Sequence, residues 1–202
     1  MRIFEIARRA VVLVALSAAL APLAGCGVNN IPNYQEQAKA AWAQVLNQYQ
    51  RRADLVPNLV NTVKGAANFE TKTLQAVVEV RAKVGQTQLP SDILTNPQAM
   101  RTFEQNQAAL TSALSRLMVV VERYPDLKAN ANFQTLQAQL EGTENRIAVA
   151  RRDYIEAVRL YDTELKTFPG RIWAMLLYSS YKEMAQFTID EKAATAPAVN
   201  FD

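Results

Sequence analysis

The sequence predicts an all-α fold: an elongated antiparallel helical bundle of three long helices, closed by one or more short C-terminal ones. Three observations carry this. Apolar residues recur at three- and four-residue intervals along most of the chain, the period of one helix face. No stretch alternates apolar and polar residues as a half-buried strand would. Half of the 202 residues are hydrophobic while only 6 are Gly and 8% aromatic, a balance suited to helices around a substantial core. The length favours one domain. It is assigned to residues 33–196, after a tether at 26–32 and before an irregular tail at 197–202.

The bundle opens at Asn33-Tyr34-Gln35-Glu36, where the Asn33 side chain and Glu36 are spaced for a capping box. Ala38, Trp42, Val45, Tyr49, Val56, Val60, Val63 and Ala67 then follow at helical spacing. The pattern runs on through Leu74, Val77 and Val80 to Gly85. One helix of about 50 residues would be about 75 Å long at the standard rise. Its weak points are Pro57 and Gly65. The stretch GQTQLPSDILTNP is rich in turn residues and predicts a loop, with Asn96 as N-cap and Pro97 at the first helical position.

The second helix carries Phe103, Leu110, Leu114, Leu117 and Val121 and stops near Tyr124-Pro125. PDLKANAN is a short connection. The third helix is the most regular: Phe133, Leu136, Leu140, Ile147, Ala150, Tyr154, Ala157, Tyr161, Leu165 and Phe168. This is close to a heptad pattern over five repeats and favours shallow-angle packing. Pro169-Gly170 ends it. A short apolar helix is expected near Arg171 to Tyr181. Trp173 and Tyr178 there suit packing over the end of the bundle, with a membrane-interface seat as the alternative.

The N-terminus predicts an address rather than a helix of the fold. Arg8 and Arg9 close a positive segment, Val11 to Leu20 is an apolar run of signal-peptide length, and Leu23-Ala24-Gly25-Cys26 has the form of a bacterial lipobox. Small residues before the cysteine let a peptidase bind the extended chain, and the Cys26 thiol then receives lipid. The chain's only cysteine lies at this position. Residues 1–25 are therefore expected to be a lipoprotein signal peptide. The rival is an uncleaved membrane helix over Ala10 to Val28, just long enough to span. Either way Arg8 and Arg9 stay cytoplasmic and the bundle faces outward.

Composition removes whole classes of chemistry. With no His and one Cys, a His-based triad, a His or multi-Cys zinc site and an intrachain disulfide are all excluded. Di-iron bundles of the Glu-x-x-His type fall with them. The net charge is +3. Arg2, Arg8, Arg9 and Glu5 in the leader account for most of it, so no basic footprint for nucleic acid remains. No catalytic residue, cofactor, metal ligand or small-molecule substrate is indicated.

The segment QRRADLVPNLV concentrates what polar interest there is. On a helical wheel Trp42, Val45, Tyr49, Val56, Val60 and Val63 share one face. Arg51, Asp54 and Asn58 fall together on the opposite face. They form either a solvated surface with an Arg51–Asp54 pair worth about 0.2–0.5 kcal/mol or a stripe for a partner or a second copy. Arg52 lies beside the apolar stripe, a charge at the core edge that covers apolar surface with its stem and reaches outward or to a carboxylate. Pro57 cannot donate to the Ala53 carbonyl and crowds it, so a kink is expected there and that carbonyl needs water, Arg52 or a neighbouring helix. On the third helix, Tyr154 and Tyr161 suit core packing with their hydroxyls at the rim. Glu141, Glu144, Asp153 and Glu156 are expected on a charged outer face. A paired-carboxylate hydrolase would need two acids about 5–9.5 Å apart across a cleft, and nothing indicates a cleft.

Three segments, AWAQVLNQYQRRADLVPNLVNTVKGAANFE, ERYPDLKANANFQTLQAQLEGTENRIAVARRDYIEAV and YDTELKTFPG, with Pro197, Val199 and Phe201 at the end, give the chain a resemblance to the LemA family. It spans roughly residues 33–202. The family pattern usually places Asn after each tyrosine of the third helix, and this chain departs from it at Ile155 and Asp162. The resemblance implies a membrane-associated helical bundle with a large soluble part, a link to envelope and membrane organisation, and no agreed enzymatic activity. The expected function is that of an envelope lipoprotein, lipid-anchored at a bacterial membrane through Cys26. It would act as a non-catalytic interaction or scaffolding module with a protein partner or with itself. The alternatives are a self-assembling, membrane-organising protein and a carboxylate-dependent envelope hydrolase.

Overall fold

The computed structural model describes residues 27–65, 70–86 and 88–188. The leader, Cys26 and the expected irregular end lie outside them. Among the described residues there are six α-helices: α1 (Asn30–Lys64), α2 (Thr71–Gln86), α3 (Pro97–Val121), α4 (Pro125–Lys128), α5 (Ala131–Lys166) and α6 (Gly170–Leu176), with a 3-10 turn at Ile93–Thr95. No strand occurs among the described residues, so the fold is all-α.

The long helices run up, down, up and down. The start of α1 meets the end of α5, where the Asn30 amide donates to Glu164 at 3.2 Å. At the other end Val63, Val121 and Phe133 share one apolar cluster. The closest pairings are α1 with α5 and α2 with α3.

The expected 50-residue first helix is two helices. It stops at Gly65, whose N–H reaches Asn61 O at 3.3 Å. Glycine costs a helix interior about 1 kcal/mol relative to alanine, and here that weak point becomes the break. The chain then turns back, so four long helices are present rather than three. The capping box expected at Asn33 does not form either. The helix is already running at Asn30, Asn33 donates its N–H to Asn29 O, and Glu36 pairs with Lys39 at 2.7 Å.

Other boundaries fall as the turn chemistry requires. Asn96 accepts from the N–H groups of Gln98 and Ala99, both at 3.1 Å, with Pro97 at the first helical position. Asn130 caps α5 in the same way, accepting from Asn132 and Phe133. The connection before it holds a single helical turn, α4, whose Leu127 plugs the upper core. The last helix ends at Leu176, short of the expected Tyr181.

The core is a seam of three- and four-residue steps. On α1, Ile31, Ala38, Val45, Arg52 and Leu59 are seven apart and all buried, as are Trp42, Tyr49, Val56 and Val63. On α3 the series is Met100, Phe103, Gln107, Leu110, Leu114, Leu117 and Val121. On α5 the buried set includes Phe133, Leu140, Thr143, Ile147, Ala150, Tyr154 and Tyr161. Such a repeat drifts little against the helix and supports near-parallel packing along its length.

Near mid-bundle each series is interrupted by one polar residue, Arg52, Gln107 and Thr143, and the fourth buried polar residue among those described, Asp162, lies near the end of α5. The apolar core is correspondingly in two parts. A lower cluster holds Trp42, Tyr49, Phe103, Tyr154 and Tyr161, and an upper one holds Val56, Leu59, Leu110, Leu117 and Leu140. Arg52 lies between them.

Candidate functional site

Arg52 is not at the core edge but inside it, 1% exposed. It sits at a seam position of α1, one helical turn below Val56, and its long stem lets the guanidinium bridge toward α3 and α5. One terminal nitrogen donates to Thr111 Oγ1 and to Glu144 Oε1, both at 2.7 Å. The other donates to the Gln107 side-chain oxygen at 2.7 Å and to the Gln107 carbonyl at 3.1 Å. Thr111 passes its own proton to that same carbonyl at 3.2 Å. The Tyr49 ring lies 5.0 Å from the guanidinium carbon. A charge buried to this extent is tolerated only when paired and hydrogen-bonded, and α3 and α5 supply the partners. Glu144, expected on the outer face, therefore turns inward, while Glu141, Asp153 and Glu156 stay exposed.

Arg51, Asp54 and Asn58 are all exposed on the side of α1 that the wheel predicts. The expected pair between Arg51 and Asp54 is replaced: Asp54 accepts from the Gln50 amide at 2.7 Å. Asn58 lends its carbonyl to the Thr62 hydroxyl. Gln44, Arg51 and Asn58 are seven apart and so share one line along the helix. At the Gln44 end of that line, α1 and α5 form a shallow groove of about 380 Å³, whose lining includes Ala41, Gln48, Val149 and Asp153.

Pro57 is inside α1 and exposed. The Ala53 carbonyl it leaves without a helical donor is met by a neighbouring helix: Arg81 Nε of α2 approaches at 3.5 Å. Both arginines near this turn thus hold helices to α1. Neither faces a second acid across a cleft.

A second polar constellation was not legible in the sequence. After α6 the chain runs along the bundle as a non-helical strap, residues 182–188, and Met184, Ala185 and Phe187 are buried in the lower core. The Ala185 N–H donates to Leu94 O at 2.7 Å, and the Met184 N–H to Asp162 Oδ1 at 3.1 Å. Thr188 bonds Glu104 through both its N–H and its hydroxyl. The two tyrosines of α5 are wholly buried rather than rimmed by water. Tyr154 donates to Ala185 O at 2.7 Å and Tyr161 to Lys182 O at 2.9 Å. Burial raises both hydroxyls' pKa, that of Tyr161 to about 12. They are hydrogen-bond donors that fasten the strap, not proton-transfer groups at neutral pH. Ile155 is exposed on the surface.

Asp162 is the strap's acidic anchor. Burial raises its pKa, against the lowering effect of the Met184 N–H, Lys166 and the Gln186 side chain, with Glu183 adding to the rise. A carboxyl whose folded pKa is raised favours the folded state most below its unfolded value of about 3.9 and loses that contribution as pH rises through the folded pKa. Asn keeps the oxygen that Met184 needs without the charge. Asp162→Asn is therefore expected to raise the urea midpoint at pH 7, with the gain shrinking toward zero as pH falls to about 4. An equal gain at both pH values would show that desolvation of the charge is not the cause.

Among the described residues no three or more Cys, Asp or Glu are grouped to hold a metal ion. Among them, too, no helix is long and apolar enough to cross a membrane.

Comparison with known proteins bears on this geometry. The LemA family model matches residues 41–201, which takes in α1 from the turn before Val45 through the strap. Two magnetosome proteins of Paramagnetospirillum magneticum, MamQ 1 and MamQ 2, are each 31% identical over 88 residues, 44% of this chain and 31% of theirs. Protein LemA of Metamycoplasma hominis is 21% identical over 140 residues, 69% of this chain and 60% of its own length. The match thus spans about a third of the magnetosome proteins and under two thirds of the mycoplasmal one.

Proposed function

This chain belongs to the LemA family, and from that membership and the geometry of α1 we propose that it works as a non-catalytic interaction or scaffolding module. It is held at a bacterial membrane by lipid on Cys26, with its bundle on the extracytoplasmic side. The observation that supports this reading best is the division of α1 at one turn. Arg52 points inward and ties α1 to two other helices, α3 and α5, while Arg51, Asp54 and Asn58 point outward with only local contacts. The buried charge serves the fold, and the neighbouring exposed groups are free to meet a partner. None of the three relatives is named for a reaction.

The test is crosslinking with mass spectrometry in intact cells. Changing Arg51, Asp54 and Asn58 together to alanine is expected to leave the unfolding free energy in urea within about 0.5 kcal/mol of the parent, since exposed substitutions rarely cost more. It is also expected to deplete crosslinks to heterologous proteins. Crosslinks only between copies would favour self-assembly. An unchanged pattern would reduce the stripe to a solvated face. Separately, Cys26→Ser should release the protein from membranes or block its processing. Unchanged retention and gel mobility would overturn the lipid anchor.

A further inference from the structure

One end of the bundle is unlike the rest of its surface. Ten large hydrophobic residues are exposed among those described, and five fall within residues 168–177. Val78, Leu89, Val119, Val149 and Ile155 are scattered singly, as on any soluble surface. By contrast Phe168 (76% exposed), Ile172 (43%), Met175 (70%), Leu176 (68%) and Leu177 (59%) fall within one ten-residue stretch. Ile172, Met175 and Leu176 stand at i, i+3 and i+4 on α6 and so share its outer face. The inner face is accounted for, because Trp173 and Ala174 pack on the lower core. Arg171, on α6 itself, and Lys182, five residues beyond Leu177, are both exposed and positively charged.

The N-terminal entry of the chain is at this same end. Asn30 bonds Glu164 of α5. A Cβ at Gly27, were there one, would lie 3.6 Å from the same carboxylate. Gly170, the first residue of α6, packs so closely on Glu164 that a Cβ there would collide with its carbonyl oxygen. Gly27 and Gly170 thus rest on one residue from two sides. Gly27 adopts φ +87, a turn that glycine makes without strain, and so brings the chain in against α5. In the sequence Cys26 directly precedes Gly27.

We propose that the face formed by Phe168, Ile172, Met175, Leu176 and Leu177 lies in the interface of the membrane that anchors the chain, so that the bundle is held by a second contact besides its N-terminal anchor. The occupant is the lipid bilayer, with acyl chains against the apolar face and anionic headgroups near Arg171 and Lys182. A short amphipathic element with basic flanks and large apolar side chains is the form that interfacial binding takes. One anchor alone leaves a bundle free to tumble. A second contact beside it fixes the long axis relative to the membrane and presents the Arg51/Asp54/Asn58 stripe at a set height. This inference rests on the membrane-anchored reading, and a lipidated Cys26 and a spanning leader place residue 27 at the surface alike.

The test uses the full chain in its native membranes with a benzophenone amino acid installed at Met175, and separately at Val119 on α3. Irradiation is expected to give lipid adducts at position 175 on the order of tenfold above those at 119, because only the former lies at acyl depth. A chain that fractionates with membranes but gives no lipid adduct at 175, or gives a protein adduct there instead, overturns this inference and leaves the anchor standing. A protein adduct to a second copy would mark the face as a dimer contact. A full chain recovered in the soluble fraction overturns both readings together.

Discussion

Arg52→Ala is expected to lower the unfolding free energy by about 3–5 kcal/mol in urea at neutral pH, the range for breaking a buried charge pair. Two costs combine. Truncating a fully buried long side chain removes packing, which for large-to-alanine changes in cores is worth about 2–5 kcal/mol. The Gln107 side-chain oxygen also loses its donor, and a buried group left unpaired costs about 1–3 kcal/mol, while the Gln107 carbonyl keeps the Thr111 hydroxyl. The costs do not simply add, because Glu144 is 41% exposed at its side chain and can turn to water. Its neighbour Arg51 is the control, since an exposed arginine with local contacts should change stability by no more than about 0.5 kcal/mol. A loss below about 1 kcal/mol at Arg52 would mean that water already reaches the layer.

The same layer carries a second consequence. Replacing both partners of a buried hydrogen bond, here Arg52 and Gln107, by apolar side chains of similar shape can be nearly neutral or stabilising. Arg52→Leu combined with Gln107→Leu should therefore recover much of the loss. What it removes is uniqueness. The seam of α1 would then be apolar without a break from Ile31 through Ala38 and Val45 to Leu59, with no position distinct from the next heptad. A single polar residue at a seam position is the best-attested way to fix register. The double variant should keep its helical signal but show broadened or doubled amide resonances.

Most of the architecture was legible in the sequence because helix period and turn chemistry are local. The seams of the second and third helices, the Asn96-Pro97 start and the Pro169-Gly170 stop all follow from nearest neighbours along the chain. The break at Gly65 did not, since the apolar pattern continues in phase from Val63 to Leu74 and only the return of α2 against α1 decides it. Arg52 was legible in half. A wheel puts it beside the stripe, but whether a charge there is edge or core depends on what faces it. The signal that would have found it is joint: Arg52 interrupts one heptad series, Gln107 a second and Thr143 a third, at matching heights in an antiparallel bundle. The strap over 182–188 was invisible, because an extended segment with apolar Met184, Ala185 and Phe187 has no period to detect, and its partners Asp162, Tyr154 and Glu104 lie far off in sequence.

Phe187→Ala is expected to undo that strap. The Phe187 ring is nearly buried, with centroids 5.9 Å from Trp42 and 5.5 Å from Tyr154, and the Arg151 guanidinium lies 4.4 Å over it. Phenylalanine-to-alanine changes in cores cost about 3–5 kcal/mol. Here the loss is capped by the free energy of docking the strap, because the segment can leave without unfolding the bundle. An effect near the low end, about 3 kcal/mol, corresponds to roughly a hundredfold faster exchange of amide hydrogens that open with the strap. Those hydrogens are the N–H groups of Met184, Ala185 and Thr188, while amides in the middle of α3 and α5 should keep their protection. Release would also deprive the Tyr154 and Tyr161 hydroxyls of their acceptors and open Trp42 to water, shifting its emission to the red. Glu183→Ala is the matched control: it removes an exposed ion pair with Lys166 at 2.8 Å, and such pairs contribute about 0–1 kcal/mol. Should Phe187→Ala slow or leave unchanged the exchange at 184, 185 and 188, the strap is held by its hydrogen bonds alone and the ring is incidental. If exchange instead rises throughout α5, the strap is not an accessory but part of the cooperative core.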